Sequence, residues 1–370
     1  MKVLITVPRL DMPGGVANYY RTLRDYLDAD KEYFEIGRVP GEAGRWQELR
    51  RLVSDYRRFH RRLADGNFDL VHLNPSLVWR SVIRDGLLLL ISKLRGCKVL
   101  AFFHGWESSC ETAIRRRFLW LFRLVYGQAD GLVVLGEIFR KSLVEMQITA
   151  PIFRTTTVAN EVATGNGKLT AGIHQSDAAS ASNPKPFTIL FLSRLDKGKG
   201  LGEAIEAFAL MRHRMANTEM VVAGDGSERS SAENTVRDRG IDGIRFVGYV
   251  DGAEKELAFR SADIFFFPTF YGEGMPISIL EAMTYGLPVV TRPVGGIPDF
   301  FEDGRMGYAL DSRLPADFAE ALLRLAQDPG LCARIGSYNR AYAAHHFSAP
   351  RVAERLVDIY REVAGGDTSG

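Results

Sequence analysis

Residues 271–286 read Tyr-Gly-Glu-Gly-Met-Pro-Ile-Ser-Ile-Leu-Glu-Ala-Met-Thr-Tyr-Gly. Just upstream, Asp263 to Phe267 is an apolar run of strand length. The chain then turns through Pro268, Gly272 and Gly274. The pattern predicts a helix starting near Met275, with Pro276 in its first turn, where a missing N–H costs nothing. Such a helix start offers unpaired N–H groups and partial positive charge to an anion. Glu273 stands before it and Glu281 two turns inside it, so phosphates at the helix mouth and hydroxyls on the carboxylates suit the layout. Gly274, Met275, Pro276 and Ile277 complete the candidate loop.

Working outward, strand-like and helix-like segments alternate. Val3–Val7, Asp69–Leu73, Lys98–Phe103, Leu132–Leu135, Phe187–Leu192, Met220–Ala223, Ile244–Val247 and Pro288–Thr291 are short apolar runs with helical patterns between them. That alternation implies parallel sheets covered by helices, with ligands at the carboxyl ends of the strands. Several ends carry glycines or polar groups. Gly14-Gly15 precedes a helix from Val16, but the string is neither a dinucleotide fingerprint nor a phosphate-binding P-loop. His104-Gly105 closes Lys98–Phe103, whereas His72 reads as structural. Ser193-Arg194-Leu195-Asp196-Lys197-Gly198-Lys199-Gly200 closes Phe187–Leu192. There Arg194 offers a planar fork and Lys199 a point charge to a diphosphate, with Lys197 as competitor. Gly224 and Val250 follow the next two strands.

At 370 residues the chain is long for one core, so two domains are expected. Cys97, Cys110 and Cys332 are scattered and odd in number, which implies no disulfide framework and no metal site. No apolar run is long enough to span a bilayer, and the N-terminus reads as a strand rather than a signal peptide. Net charge is +2 but uneven. Residues 1–160 hold 25 Lys and Arg against 17 Asp and Glu, whereas residues 161–370 hold 22 against 28. The first half is therefore expected to face something anionic. Residues 45–63 carry one apolar face, Trp46, Leu49, Leu52, Val53, Tyr56, Phe59 and Leu63, flanked by arginines. With the segment Arg115 to Arg123, they support either core packing with a basic outer side or docking on an anionic membrane. No nucleic-acid module is visible.

The string Glu273-Gly274-Met275-Pro276 through Leu280-Glu281 resembles the E-x7-E signature of retaining glycosyltransferases of family 4, which have the GT-B fold. Ser193 to Gly200 resembles that family's phosphate site, with Ser193 where glycine is common. The resemblance implies an α/β chain of two Rossmann-like domains facing each other across a cleft. The first, residues 1–163, would bind the acceptor and be completed by 348–370, the C-terminal helix crossing back to it. Residues 164–186 would be a linker or exposed loop, and 187–347 would bind the nucleotide sugar. The resemblance further implies Glu273 on donor-sugar hydroxyls, Glu281 on the ribose, and Arg194 and Lys199 on the diphosphate. His104 would contact the donor sugar, Gly14 and Gly15 the phosphates or the acceptor, Gly224 the nucleotide, and Val250 the base through its main chain. Asn160 resembles the family's asparagine at the end of the first domain, without the usual proline and glycine around it. No metal or cofactor is expected beyond a UDP- or GDP-sugar donor. The acceptor would be a hydroxyl, lipid-linked or on a polysaccharide precursor, and the enzyme cytoplasmic, peripheral on the inner face of the cell membrane. A GT-B-like sugar-nucleotide 2-epimerase is the alternative.

Overall fold

Residues 1–12, 14–37, 44–159, 185–272 and 274–365 are described by the structure, a computed structural model. Asn160, residues 164–184 of the expected linker, and Glu273 lie outside the described residues. The chain divides into two compact units. One is Met1–Val158 with Gly272–Met275 and His346–Gly370, and the other is Ala159–Tyr271 with Pro276–His345.

The first unit holds six parallel strands: β1 (Lys2–Val7), β2 (Asp30–Glu35), β3 (Leu70–Leu73), β4 (Lys98–Phe103), β5 (Gly131–Val134) and β6 (Ile152–Arg154). Their spatial order is β2-β1-β3-β4-β5-β6. Strands β3, β4 and β5 are buried almost throughout, which is why their sequences are continuous Val, Leu and Phe rather than alternating. Burying each such side chain contributes about 1.5–3 kcal/mol. Edge strand β2, Asp-Lys-Glu-Tyr-Phe-Glu, is only half-buried and keeps its charges.

Helices α1 (Gly15–Leu23), α2 (Arg45–Asp65), α3 (Trp79–Leu94), α4 (Ser108–Ala113), α5 (Leu119–Tyr126) and α6 (Glu137–Glu145) connect these strands. A π-helical turn, Ile114–Phe118, leads from α4 to α5. The apolar face of α2 splits. Phe59 and Leu63 are core, whereas Trp46, Leu49 and Val53 are exposed. Asp55 is buried on the same helix and held by Arg51 at 3.3 Å and Arg58 at 2.9 Å.

The second unit repeats the design with β7 (Phe187–Leu192), β8 (Thr218–Ala223), β9 (Ile244–Gly248), β10 (Ile264–Phe267), β11 (Val289–Thr291) and β12 (Gly307–Ala309). These are again all parallel, in the order β12-β11-β10-β7-β8-β9. Its helices are α7 (Leu201–Arg214), α8 (Arg229–Asp238), α9 (Gly252–Ser261), α10 (Ile277–Thr284) and α11 (Pro315–Gln327), followed by α12 (Pro329–His346). The last helix, α13 (Ala349–Ala364), packs on α1 and β4 of the first unit, as the C-terminal return expected from sequence requires. The expected α/β class with parallel sheets is borne out.

Strand order also locates the functional edge. In the first sheet, β2 lies on one side of β1 and β3 on the other. In the second, β8 and β10 flank β7 in the same way. Loops leaving the carboxyl ends of neighbouring strands diverge at these reversals and leave a crevice. The reversals fall beside the loops after β1 and β3 in one unit, and after β7 and β10 in the other.

Candidate active site

In the second unit, glycines lock the loop after β7 against its neighbours. Gly224 has φ +137°, and a Cβ there would lie 1.8 Å from the Ser193 carbonyl oxygen. Gly200, at φ +83°, would drive a Cβ to 2.2 Å from the Pro268 carbonyl oxygen. No other residue type fits either place without moving backbone. The Gly198 carbonyl accepts N–H bonds from Phe270 and Tyr271, both at 3.0 Å, and the Thr269 hydroxyl at 3.2 Å. The loops after β7 and β10 are thus one cross-linked structure.

Two cations sit on that structure differently. Arg194 is 75% exposed in its side chain and 3.1 Å from Asp196. Lys199 is buried, with Nζ 4.6 Å from the centre of the Tyr271 ring. Lys197, the sequence competitor, points to solvent. Burying an ammonium is costly unless a negative partner or aromatic face compensates, so Lys199 is the more built of the two positions.

Helix α10 begins at Ile277, two residues after the Met275 start that the sequence pattern implies. Pro276 has φ −71° and ψ 109° and is the N-cap rather than a first-turn residue. Its carbonyl accepts from Ile279 at 3.0 Å. The Ile277 and Ser278 N–H groups stand in the helix's opening turn, which no side chain caps. Glu281 is 2% exposed, and its Oε1 accepts from Lys255 Nζ on α9 at 2.6 Å. Gly224 and Val250 follow β8 and β9 on the same carboxyl edge, Val250 half-buried beside exposed Tyr249.

Sequence reasoning missed Lys255, because a lysine four residues into a charge-rich helix with one buried side chain, Phe259, looks like a solvated charge. It also missed Arg292, after β11. That guanidinium is 3% exposed and donates to the Pro268 carbonyl, and at 2.7 Å to the Ser312 carbonyl. Burial lowers its pKa. It ties the ends of β10 and β12 together beneath the loop carrying Phe270.

In the first unit, Gly14 caps α1 and Gly15 opens it. A Cβ at either would touch nothing within 4 Å, so the backbone is approachable there. His104 ends β4, half-buried, with the Tyr19 ring edge-on at 5.1 Å and the Phe102 ring at 3.9 Å. Burial pushes its pKa down to about 3, so the ring is neutral at physiological pH. His104 Nε2 is 2.8 Å from Asn74 Oδ1, the first polar side chain after β3. The same Oδ1 accepts the Tyr20 hydroxyl at 2.8 Å. His72, which the sequence reading left as structural, is fully buried, with Nδ1 2.6 Å from the Tyr360 hydroxyl of α13. Burial, with His104 nearby, holds its pKa well below the usual histidine range. Gly274 also belongs to this unit: a Cβ there would lie 3.4 Å from the His104 carbonyl oxygen and 3.7 Å from Leu135. Met275 beside it is buried.

Each unit thus gathers its own candidates on one carboxyl edge. His104, Gly14, Gly15, Gly274 and Met275 fall in the first. Arg194, Lys199, Gly224, Val250, Pro276, Ile277 and Glu281 fall in the second. Glu273 lies outside the described residues.

A third feature is a surface of the first unit. Trp46 of α2 is 79% and Trp120 of α5 is 67% exposed, and Trp79, Ile83 and Leu87 of α3 are exposed as well. Trp79 meets Phe118 edge-on at 5.2 Å. Exposed Arg50, Arg57, Arg80, Arg116 and Arg117 lie on the same segments. The α3 contribution was not read from sequence. Among the described residues no helix is long and apolar enough to cross a membrane.

Residues 7–161 match the Glycosyl transferase 4-like domain, and residues 173–342 match Glycosyl transferases group 1. Among curated relatives, the phosphatidyl-myo-inositol mannosyltransferase of Mycobacterium leprae is 26% identical over 391 residues, covering 97% of this chain and 95% of the relative. The amylovoran biosynthesis glycosyltransferase AmsK of Erwinia amylovora is 28% identical, covering 74% and 68%. Among solved structures, sucrose-phosphate synthase from Thermosynechococcus elongatus superposes with a TM-score of 0.73 at 16% identity, covering 99% of this chain and all of that one. The Anabaena protein HepE in complex with UDP gives 0.72 at 16% identity, covering 98% and 100%. These two likenesses establish the shared fold.

Proposed function

Because the chain belongs to the family 4, group 1 glycosyltransferases, which use nucleotide sugars, we propose that it moves a hexose from a UDP- or GDP-sugar to a hydroxyl acceptor with retention of configuration. What supports this reading most is the second unit's reversal point. There a buried lysine, an exposed arginine and an uncapped helix start share one cross-linked pair of loops. During transfer the diphosphate leaves and gains negative charge. Fixed cations and N–H dipoles stabilise that charge without reorganising, and they do electrostatic work that a metal ion does elsewhere.

In this account Arg194 and Lys199 hold the diphosphate, assisted by the N–H groups of Ile277 and Ser278. Glu281 binds the ribose hydroxyls through the carboxylate that Lys255 orients. Gly224 and the Val250 main chain flank the nucleoside. Glu273 holds sugar hydroxyls, and His104, neutral, binds a sugar hydroxyl beside Gly274 and Met275. Gly14 and Gly15 admit the phosphates or the acceptor to bare backbone. The acceptor attacks the anomeric carbon on the face the phosphate leaves, through an oxocarbenium-like state, and the departing phosphate oxygen takes its proton.

The acceptor is lipid-linked in this reading, and the enzyme works at an anionic membrane through the exposed Trp- and Arg-bearing surface of α2, α3 and α5. The mannosyltransferase relatives are named for a phosphatidyl acceptor. Incubation with labelled UDP- and GDP-sugars and a membrane lipid extract tests the assignment. Label appearing in lipid with the anomeric configuration kept is expected. Epimerised nucleotide sugar without any acceptor, or no turnover of either donor, would contradict it.

A further inference from the structure

The polar cluster around His104 contains no charged side chain, yet its hydrogen bonds leave only one arrangement of protons. Asn74 Nδ2 lies 2.6 Å from the Thr6 carbonyl oxygen. A carbonyl only accepts, so the amide nitrogen must face it and the amide oxygen must face the other way. That oxygen, Asn74 Oδ1, lies 2.8 Å from both the Tyr20 hydroxyl and His104 Nε2. It can only accept, so both neighbours donate. His104 therefore carries its proton on Nε2. A neutral imidazole has one proton, so Nδ1 is bare. No donor among the described residues bonds to it.

The order of protons continues to the C-terminal helix. Tyr20 has spent its proton on Asn74, so toward His72 Nε2, at 3.4 Å, its oxygen accepts. His72 then carries its proton on Nε2 too, and its bare Nδ1 accepts the Tyr360 hydroxyl at 2.6 Å. The Thr6 hydroxyl, 3.4 Å from the His72 carbonyl oxygen and 3.3 Å from the Asn74 N–H, ties β1 to the end of β3. Rings hold the orientation. Tyr19, edge-on, and Phe102 pack against His104, and Phe102 also stacks on His72 at 6.0 Å, 22° from parallel.

We propose that Asn74 is a positioning residue: it fixes His104 as the Nε2–H tautomer and so makes the bare Nδ1 a hydroxyl-accepting group. The opposite tautomer would present an N–H donor instead and set a bare Nε2 against Asn74 Oδ1, acceptor against acceptor. A substrate hydroxyl meeting Nδ1 therefore donates its hydrogen, which leaves its oxygen lone pairs for other partners. The ligand class is a neutral sugar hydroxyl; a carboxylate or phosphate oxygen, having no proton to give, is disfavoured there. This deepens the role given to His104 above and rests on it, but the tautomer itself can be read without any substrate.

Long-range proton–nitrogen correlation spectra of the full chain at neutral pH measure it, with His104 assigned by loss of its signals in His104→Gln. The wild type should show a protonated Nε2 and an unprotonated Nδ1. Asn74→Ala should convert His104 to a mixture of tautomers and lower kcat roughly 10- to 100-fold, by analogy with the scale seen when a metal-bound ring loses its orienting partner, with donor KM changing much less. Asn74→Asp keeps an oxygen acceptor toward His104 but turns a second oxygen against the Thr6 carbonyl, so above neutral pH it should retain the Nε2–H form with a kcat between those of Asn74→Ala and the wild type. Its negative charge favours the imidazolium, so activity should fall toward acid more steeply than in the wild type. A protonated Nδ1 in the wild type would overturn the proposal. So would a folded Asn74→Ala with an unchanged tautomer, or with a mixed tautomer and unchanged kcat. Should Asn74→Ala not fold, the wild-type spectrum and the Asn74→Asp pH profile still decide. An Nε2–H ring in a protein that transfers no sugar would sink the functional reading and leave the tautomer standing.

Discussion

Beside its reversal of strand order the first unit presents Asn74, Tyr20 and His104, uncharged and mutually hydrogen-bonded. At the matching place the second unit presents Arg194, Lys199, Asp196, and the Lys255–Glu281 pair, all ionisable. The two sheets have the same parallel architecture, so topology selects where a ligand binds and not what it is. The difference is chemical. Neutral groups with fixed protons discriminate by direction and suit hydroxyls. Cations on a rigid loop act through charge and suit a diphosphate. Acid and anionic lipid should therefore act on the first unit, and removal of cationic side chains on nucleotide binding in the second.

The largest effect expected is of acid on the first unit. His104 and His72 are both held below the unfolded-state value of about 6.5 by burial. Below that pH the unfolded chain binds protons that the folded chain refuses, until His104 titrates at about 3. Their stabilisation is thus complete above about pH 6.5 and is lost as pH falls, by up to about 1.4 kcal/mol per pH unit for each ring. Trp46, Trp79, Trp106 and Trp120, the four tryptophans of the chain, all lie in the first unit, so tryptophan fluorescence reports that unit alone. The urea midpoint it reports should drop between pH 7.5 and 5.5. An unchanged midpoint would remove the contrast.

A smaller effect is expected at the exposed surface of α2, α3 and α5. Vesicles rich in anionic lipid should float the protein at low salt and release it as salt rises. Arg116→Gln and Arg117→Gln should each weaken that binding by about 1 kcal/mol. Protein that stays below the vesicles at low salt would end the peripheral-membrane reading.

Legibility in the sequence followed burial. Strands β4 and β7 are bounded to the residue because each is a mostly apolar run, interrupted only by Lys98 and Thr188, and flanked by turn chemistry. Edge strand β2 was invisible, since a half-exposed strand can carry Asp, Lys and Glu. The apolar face of α2 was plain as periodicity, but periodicity does not tell which half is covered; only Phe59 and Leu63 are core. At the candidate site, the glycines and cations of Ser193 to Gly200 announce themselves, because positive φ and phosphate chemistry demand particular residue types at fixed spacing. Asn74 and Tyr360 do not, being 286 residues apart and brought to His104 and His72 respectively only by folding. Lys255 was hidden for the same reason, its partner Glu281 lying 26 residues away.

The most direct test of the central claim, that fixed cations in the second unit grip a diphosphate, is calorimetric titration of the chain with UDP and GDP. Arg194→Ala and Lys199→Ala should each weaken binding of the preferred nucleotide by roughly 2–4 kcal/mol, as expected for lost charge-assisted contacts. Affinity unchanged in both variants would contradict the account.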